Sequence, residues 1–157
     1  MEKISSKAQA KEMAELTCKL SRACNRKETS FAALFQLTPT ELRCLRMFSK
    51  KSTVSIKEMI DELEISAGRV THILTSLENK DYIVRRVDVN DKRNHLVDLT
   101  PESRKFINQL TKKHVELHQN ILNNLSNENK VVITQVMSEL IDALNEWSEI
   151  NKEKLKS

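Results

Sequence analysis

Apolar residues recur every three or four positions over most of the chain, which is the period of an amphipathic helix. A first helix is predicted over residues 4–24, on the apolar positions Ile4, Ala8, Met13, Leu16, Leu20 and Cys24. Residues 25–30 are polar, and we interpret them as a break that ends this helix.

The region that follows contains three helix starts within a short stretch. Thr38-Pro39-Thr40-Glu41 and Ser55-Ile56-Lys57-Glu58 are both capping boxes, in which a Ser or Thr is followed three residues later by Glu. Ser66 can cap a third helix over residues 66–80, with Val70, Ile73, Leu74 and Leu77 on its inner side. The last two helices are separated by only about three residues, which is the spacing of a helix-turn-helix.

The apolar period then changes. Residues 82–89 are rich in β-branched side chains and residues 95–99 alternate, so the pattern predicts a β-hairpin wing over residues 82–100. Thr100-Pro101-Glu102 opens a long helix towards Leu125, and Ser126 starts a last helix. Its apolar stripe contains Val132, Val136, Leu140, Leu144 and Trp147.

We therefore predict a mainly α fold with a small β-hairpin wing (α+β). A winged helix-turn-helix at residues 38–100 is framed by long terminal helices at residues 1–30 and 101–157, within a single domain of 157 residues.

Composition supports this fold and excludes several others. The chain has one glycine and two prolines, too few for an all-β fold or a glycine-rich phosphate loop. The net charge is +4, but residues 51–105 carry ten basic and ten acidic side chains. Binding to nucleic acid would therefore depend on where individual charges lie.

Location is suggested by two features of the sequence. Residues 1–7 contain no apolar stretch, and the three cysteines have no paired spacing. These features favour a reducing compartment, so we expect a cytoplasmic protein that has no contact with a membrane.

The third helix carries the first candidate site. Its outer stripe is made of short or hydrogen-bonding residues, beginning at the cap: Ser66, Gly68, Arg69, Thr71, His72, Thr75 and Asn79. Such a surface fits the major groove of DNA, whereas a solvated helix usually carries long Lys and Glu side chains. The single glycine, Gly68, lies where a missing side chain lets backbone approach a phosphate or base.

The hairpin tip carries the second candidate site, Asp91-Lys92-Arg93. Asp91 is expected to hold the Arg93 side chain extended by a charge-assisted bond, so that it enters a minor groove. Arg85 and Arg86 at the base of the wing are expected to meet flanking phosphates. The ordinary alternative is a solvated charged turn.

Three motifs in this order resemble the multiple-antibiotic-resistance regulator (MarR) family: Leu37-Thr38-Pro39-Thr40-Glu41-Leu42, Ile65-Ser66-Ala67-Gly68-Arg69-Val70-Thr71, and Asp91-Lys92-Arg93 with Leu99-Thr100-Pro101-Glu102. The resemblance implies a homodimer formed by the first and last two helices, with double-stranded DNA held by the wings. It also implies that the protein represses transcription at a pseudo-palindromic DNA site. The resemblance further implies release from DNA when an effector binds between the dimerisation helices and the winged helix-turn-helix.

A dimer is also expected on physical grounds. The winged helix-turn-helix of one chain is too small to bury the whole apolar stripe of the last helix. An exposed stripe of this kind promotes aggregation. A two-fold dimer would place two recognition helices about 34–36 Å apart and predicts an inverted-repeat operator.

The sequence does not identify the signal that the protein would sense. Cys18 suggests peroxide sensing, but the only tyrosine is Tyr82 in the wing, and Cys18 and Cys24 lie too far apart along a helix, about 9 Å, to form a disulfide. The simpler interpretation is that both are small buried residues.

Zinc is a second possibility, because His114 and His118 share a helical face. The zinc-sensing relatives add a histidine from the second helix, where this chain offers only Glu41 or Cys44. Two solvated histidines are the alternative, and no cofactor is expected. An unidentified small-molecule effector in an apolar pocket beside Phe31, Phe35 and Met47 is equally compatible.

The sequence also bears on two other classes of function. An enzyme is not expected, because His114-Val-Glu-Leu-His118 lacks the order of HExxH and no nucleophile elbow exists. A helical protein-interaction module that has lost DNA binding is the remaining alternative, favoured by the neutral middle third and opposed by the basic wing.

Overall fold

The computed structural model describes the backbone of residues 6–156 and the side chains of residues 6–152. The helices are α1 (Ser6–Ala33), α2 (Pro39–Arg46), α3 (Ile56–Leu63), α4 (Ala67–Asn79), α5 (Pro101–Asn123) and α6 (Asn127–Lys156). The strands are β1 (Thr53–Ser55), β2 (Ile83–Val87) and β3 (His95–Leu99). The predicted order of helix-turn-helix, hairpin and long helices is confirmed.

Helix α1 is longer than predicted. The break expected at residues 25–30 is wrong, because the helix continues without interruption to Ala33. Arg26, Lys27 and Glu28 are good helix formers, and the hydroxyl of Thr29 donates to the carbonyl of Asn25 at 2.9 Å inside the helix. The predicted first apolar position, Ile4, lies outside the described residues.

Both predicted capping boxes are present. The Thr38 hydroxyl accepts from the backbone N–H of Glu41 at 3.2 Å, and the Glu41 carboxylate accepts from the N–H of Thr38 at 2.8 Å. Ser55 and Glu58 exchange the same two bonds at the start of α3. These bonds satisfy N–H groups that a helix leaves without an internal partner.

The sheet has one strand more than the predicted hairpin. Strands β2 and β3 pair antiparallel with Val87 opposite His95, and β1 pairs with the other edge of β3. The third strand was not predicted, since three residues are too few to show alternation and Ser55 already serves as a helix cap. It joins the wing directly to the start of α3.

The chain packs as two compact units that divide after Lys112, within α5. The first unit contains a well-packed aliphatic core drawn from α1 to α5 and the sheet. Its fully buried large side chains are Leu42, Leu45, Phe48, Val54, Met59, Val70, Leu74, Leu77, Ile83, Val97, Ile107 and Leu110.

The second unit contains the end of α5 and all of α6. None of the described side chains of α6 is buried, although the helix carries a row of large apolar residues. None of the helices over residues 6–156 has the length and apolarity needed to cross a lipid bilayer.

Candidate nucleic-acid interface

Helix α4 follows α3 after a turn of three residues. Glu64 ends α3 in the left-handed conformation at φ 51°, which redirects the chain. Ser66 then caps α4, its hydroxyl accepting from the N–H of Arg69 at 3.4 Å. The predicted helix-turn-helix and its cap are confirmed.

Helix α4 has a buried and an exposed face, as its sequence predicts. Val70, Ile73, Leu74 and Leu77 are all buried. The predicted contact residues lie on the exposed side: Ser66, Gly68, Arg69, Thr71, His72, Thr75 and Asn79. A β-carbon built on Gly68 would meet no atom within 4 Å, so the surface around this residue is open.

A buried carboxylate fixes the far end of α4 to α2. Glu41, which is 3% exposed, accepts from the Ser76 hydroxyl at 2.7 Å, and Lys80 Nζ lies 2.9 Å from both of its carboxylate oxygens. Burial raises the pKa of Glu41, but the hydrogen bonds from Thr38, Ser76 and Lys80 outweigh it and leave the pKa below its usual value. The orientation of α4 therefore depends on a charge inside the first unit.

The sequence indicated Glu41 as a capping residue and as a possible zinc ligand, but it did not indicate the contacts with Ser76 and Lys80. The available signal was their spacing of four, which puts a hydroxyl and an ammonium on one helical face. The sequence did not show that this face would meet Glu41.

Two threonines on the exposed face turn their hydroxyls back onto the helix. Thr71 donates to the carbonyl of Ala67 and Thr75 to that of Thr71, each at 3.0 Å. The Thr75 hydroxyl also accepts from the Arg85 guanidinium at 3.3 Å. Arg85 is itself ion-paired with Glu78, whose carboxylate accepts from the backbone N–H of Arg85 at 3.0 Å.

The second arginine of the wing base is also paired. Arg86 donates to Asp98 across the β2–β3 pair, and Asp98 in turn accepts from the Thr53 hydroxyl of β1. Burial raises the pKa of Asp98, and the bonds from Arg86 and Thr53 outweigh that effect and lower it. Arg86 thus links strands of the wing and Arg85 joins the wing to α4, roles that their sequence positions did not predict.

The wing tip is a tight turn shaped by Asp91. Its carboxylate accepts from the backbone N–H of Arg93 at 3.0 Å and from the Asn94 side-chain amide at 3.2 Å. The expected bond between Asp91 and the Arg93 guanidinium is wrong, because the carboxylate is oriented towards the backbone. Within residues 6–152, neither Lys92 nor Arg93 has an ion-pair partner, and both are exposed.

Comparisons with known proteins agree with this geometry. The sequence pattern of the MarR family matches residues 37–95, the segment from α2 to the start of β3. The HTH-type transcriptional regulator SarZ of Staphylococcus aureus is 26% identical over 117 residues, which cover 68% of this chain and 79% of that protein. Residues 37–95 of this chain are therefore similar in sequence to the MarR family, and the relative that they match is by its name a regulator of transcription.

Solved structures show the same fold. Streptococcus pneumoniae FabT in complex with DNA matches with a TM-score of 0.72 and 21% identity, covering 88% of this chain and 99% of FabT. A mutant of MarR from E. coli complexed with operator DNA matches with a TM-score of 0.69 and 19% identity, covering 87% and 99%. SarZ is by its name a regulator of transcription, not an enzyme.

The cysteines of the chain differ from the expectation. Cys18 and Cys24 are exposed on α1, so their interpretation as small buried residues is wrong within the single chain. Cys44 is buried beside Met59, with the two sulfurs 3.9 Å apart. Burial, with a smaller contribution from the Glu41 charge, raises the pKa of the Cys44 thiol to about 12, which makes it an inert core residue.

The candidate zinc ligands do not form a site in the described part of the chain. His118 Nδ1 lies 2.8 Å from the carbonyl of His114, and their rings are 4.4 Å apart. Over residues 6–152 no group of three His, Cys, Asp or Glu side chains is placed to hold a metal. Glu41 and Cys44, the suggested substitutes for a third ligand, are both buried in other contacts.

The aromatic residues near the proposed effector pocket pack on one another. Phe35 makes edge contacts with Phe31 and Phe106, and Phe106 stacks on Tyr82 with ring centres 4.8 Å apart. Met47 instead lines a separate hollow of about 250 Å³ together with Arg46, Ser49, Lys50, Lys51, Val54 and Glu62. An apolar effector stays a prediction.

Proposed function

We propose that the protein acts as a homodimer that binds double-stranded DNA at a pseudo-palindromic operator, represses transcription there, and is released by a small-molecule effector. The recognition segment, residues 66–80, enters the major groove, and the wing, residues 82–100, follows the adjacent minor groove. The observation that carries the proposal is the exposed face of α4 beside a wing tip whose two cations are unpaired in the described structure.

The short side chains of α4 support major-groove entry. Small outer residues allow the backbone of a helix to lie close to base edges, and Gly68, Thr71 and Thr75 form such a row. Ser66, Arg69 and His72 flank it and are proposed to contact phosphates or base edges. The Glu41 network supports this role, since it fixes the end of α4 to α2 within the first unit.

The wing residues have separate proposed roles. Lys92 and Arg93 are available for phosphate or minor-groove contacts, and Asp91 shapes the turn that presents them. Arg85 and Arg86 remain proposed DNA neighbours, but their charges are already balanced by Glu78 and Asp98. We therefore expect them to contribute less to the salt dependence of binding than Arg93.

The apolar face of α6 supports the homodimer. Val136, Leu144 and Trp147 are 53%, 43% and 67% exposed, and Met13, Leu16 and Leu20 form an exposed row on α1. Rows of this kind on long helices are buried when a second copy packs against them. The terminal helices, residues 1–30 and 101–157, are therefore the proposed dimer interface.

Repression and effector release rest on the family resemblance. A dimer that covers an operator blocks access to it, and an effector that binds better to a conformation unable to hold DNA shifts the protein away from the operator. No metal is needed for this mechanism. A regulator of this kind works where the DNA is, so the proposal places it in the cytoplasm.

Arg93→Ala tests the proposal. The variant should bind duplex DNA about tenfold more weakly than wild type, with a slope of log affinity against log salt that is about one unit shallower. Lys105→Ala removes an exposed positive charge from α5 and is the matched control, expected to bind as wild type does. If neither wild type nor control binds duplex DNA at low salt, the protein is an interaction module and the proposal is wrong.

A further inference from the structure

The hydroxyl of Thr75 both donates and accepts a hydrogen bond within the protein, although the residue is exposed in the middle of the proposed recognition surface. We propose that Thr75 acts as a methyl reader, which contacts the C5 methyl group of one thymine in each half-site of the operator. This inference rests on the proposed function, because it assigns the base that this DNA-binding surface selects.

The donor capacity of Thr75 is used inside the protein. A hydroxyl has one proton to donate, and that of Thr75 goes to the carbonyl of Thr71 at 3.0 Å. Thr75 therefore has no proton to offer to the acceptor atoms of guanine, adenine or thymine in the major groove. A hydrogen bond from this residue cannot select those bases.

The acceptor capacity of Thr75 is also restricted. The Arg85 guanidinium donates to the same oxygen at 3.3 Å and places a positive charge beside it. The amino groups of adenine and cytosine, which are the donors in the major groove, carry partial positive charge and are repelled there. The remaining lone pair lies beside the same positive charge, so the γ-methyl is the group of Thr75 best suited to contact a base, and its partner in the groove is the methyl of thymine.

Arg85 is held in this position by its own contacts. Its guanidinium pairs with Glu78, and its backbone N–H donates to the same carboxylate at 3.0 Å. The hydrogen bonds to Arg85 lower the pKa of Glu78, so the carboxylate stays charged at neutral pH. The arrangement fixes the Thr75 rotamer before DNA arrives.

Thr71 provides an internal contrast one turn earlier on the same face. Its hydroxyl donates to the carbonyl of Ala67 at 3.0 Å, as Thr75 does to its own partner. In the described structure, however, no side chain donates to the Thr71 oxygen, which remains open to a base amino group. The two threonines are chemically identical, but only Thr75 is expected to depend on a methyl group.

The test uses the duplex that the wild-type protein selects from a randomised pool. Each thymine is replaced in turn by deoxyuridine, which removes only the C5 methyl, and binding is measured by fluorescence anisotropy. Wild type should lose about fourfold in affinity per half-site at one thymine position, the loss expected for one buried methyl group. Thr75→Val keeps the γ-methyl and should keep this loss, whereas Thr75→Ser lacks it and should bind both duplexes equally.

Thr71→Ser is the matched comparison: whatever its effect on overall affinity, the ratio of its affinities for the thymine and deoxyuridine duplexes should equal that of wild type. The inference is overturned if no thymine position responds to deoxyuridine, or if Thr75→Ser still discriminates. In both cases the protein still binds its duplex, so the proposed function stands. If wild type selects no duplex at all, the proposed function fails and the inference fails with it.

Discussion

The apolar side chains of the reading head, residues 37–99, are mostly buried, whereas most of those of helix α6 are exposed. In the head, the inner faces of α2, α3, α4 and the sheet are buried against one another, and the helix starts are capped from within the chain. In α6, a row of large aliphatic residues lies on the surface, and none of its described side chains is buried.

This difference shows that amphipathic helices can be stabilised either by packing within one chain or by packing against another surface. The head obtains its core inside one chain, so its stability should not depend on protein concentration. The apolar face of α6 requires another surface to bury it, so its contribution should depend on concentration. Each prediction below tests one side of this contrast.

The largest effect is expected from Leu144→Glu on α6. Burying a leucine stabilises by about 1.5–3 kcal/mol, and a two-fold interface contains it twice, so the dimer should weaken by about 3–6 kcal/mol. Sedimentation velocity across a range of concentrations should show monomer where wild type is dimer. Ser138→Glu adds the same charge away from the apolar stripe and should leave the dimer intact; equal sedimentation of both variants would contradict the proposed interface.

Replacing the glutamate of each capping box should have an intermediate effect on the free energy of unfolding, and the two variants form a matched pair. Glu41→Ala removes a carboxylate that is 3% exposed and leaves Thr38, Ser76 and Lys80 without their acceptor, so it should cost about 2–3 kcal/mol of unfolding free energy. Glu58→Ala removes the same motif residue where it is exposed and should cost about 0.5–1 kcal/mol. Urea unfolding at fixed protein concentration measures both, and equal losses would show that burial of Glu41 contributes nothing.

Acid should remove the Glu41 contribution. The folded-state pKa of Glu41 is below the 4.5 of an unperturbed carboxyl, so its stabilisation is present above about pH 4.5 and is lost as the pH falls through the folded value. The stability gap between wild type and Glu41→Gln should therefore narrow between pH 7 and pH 3. A gap of the same size at both pH values would mean that the charge of Glu41 is unimportant.

The smallest effect on stability is expected at Gly68. A β-carbon there meets no atom within 4 Å, so Gly68→Ala should stabilise the head by up to about 1 kcal/mol through helix propensity. Gly68→Leu should fold equally well but should weaken duplex binding, because its side chain fills the space that the DNA backbone needs. Unchanged affinity in the leucine variant would show that Gly68 does not face DNA.

Much of the head could be predicted from the sequence because its signals are local. The capping boxes at Thr38 and Ser55, the cap at Ser66 and the inner face of α4 each follow from spacing within a few residues. Strand β1 and the continuation of α1 through residues 25–30 were missed, since both depend on packing and on helix propensity rather than on apolar periodicity.

The sequence placed the candidate site residues on the right segments, but it did not predict their hydrogen bonds and ion pairs. Placing Thr75, Arg85 and Arg93 on exposed segments required only the period of the helix and the hairpin. That Arg85 bonds to Thr75 and Glu78, and that Asp91 faces the backbone of Arg93, depends on how α4 and the wing meet in three dimensions. Side chains with several possible partners cannot be assigned to one of them from spacing alone.

The most direct test of the account is selection of duplexes from a randomised DNA pool by the wild-type protein. If two recognition helices are presented by a two-fold dimer, the enriched sequence should be an inverted repeat whose half-site centres lie about one helical turn, 10–10.5 base pairs, apart. A pool without an enriched sequence, or one enriched in a single unrepeated site, would contradict the proposal of a dimeric DNA reader.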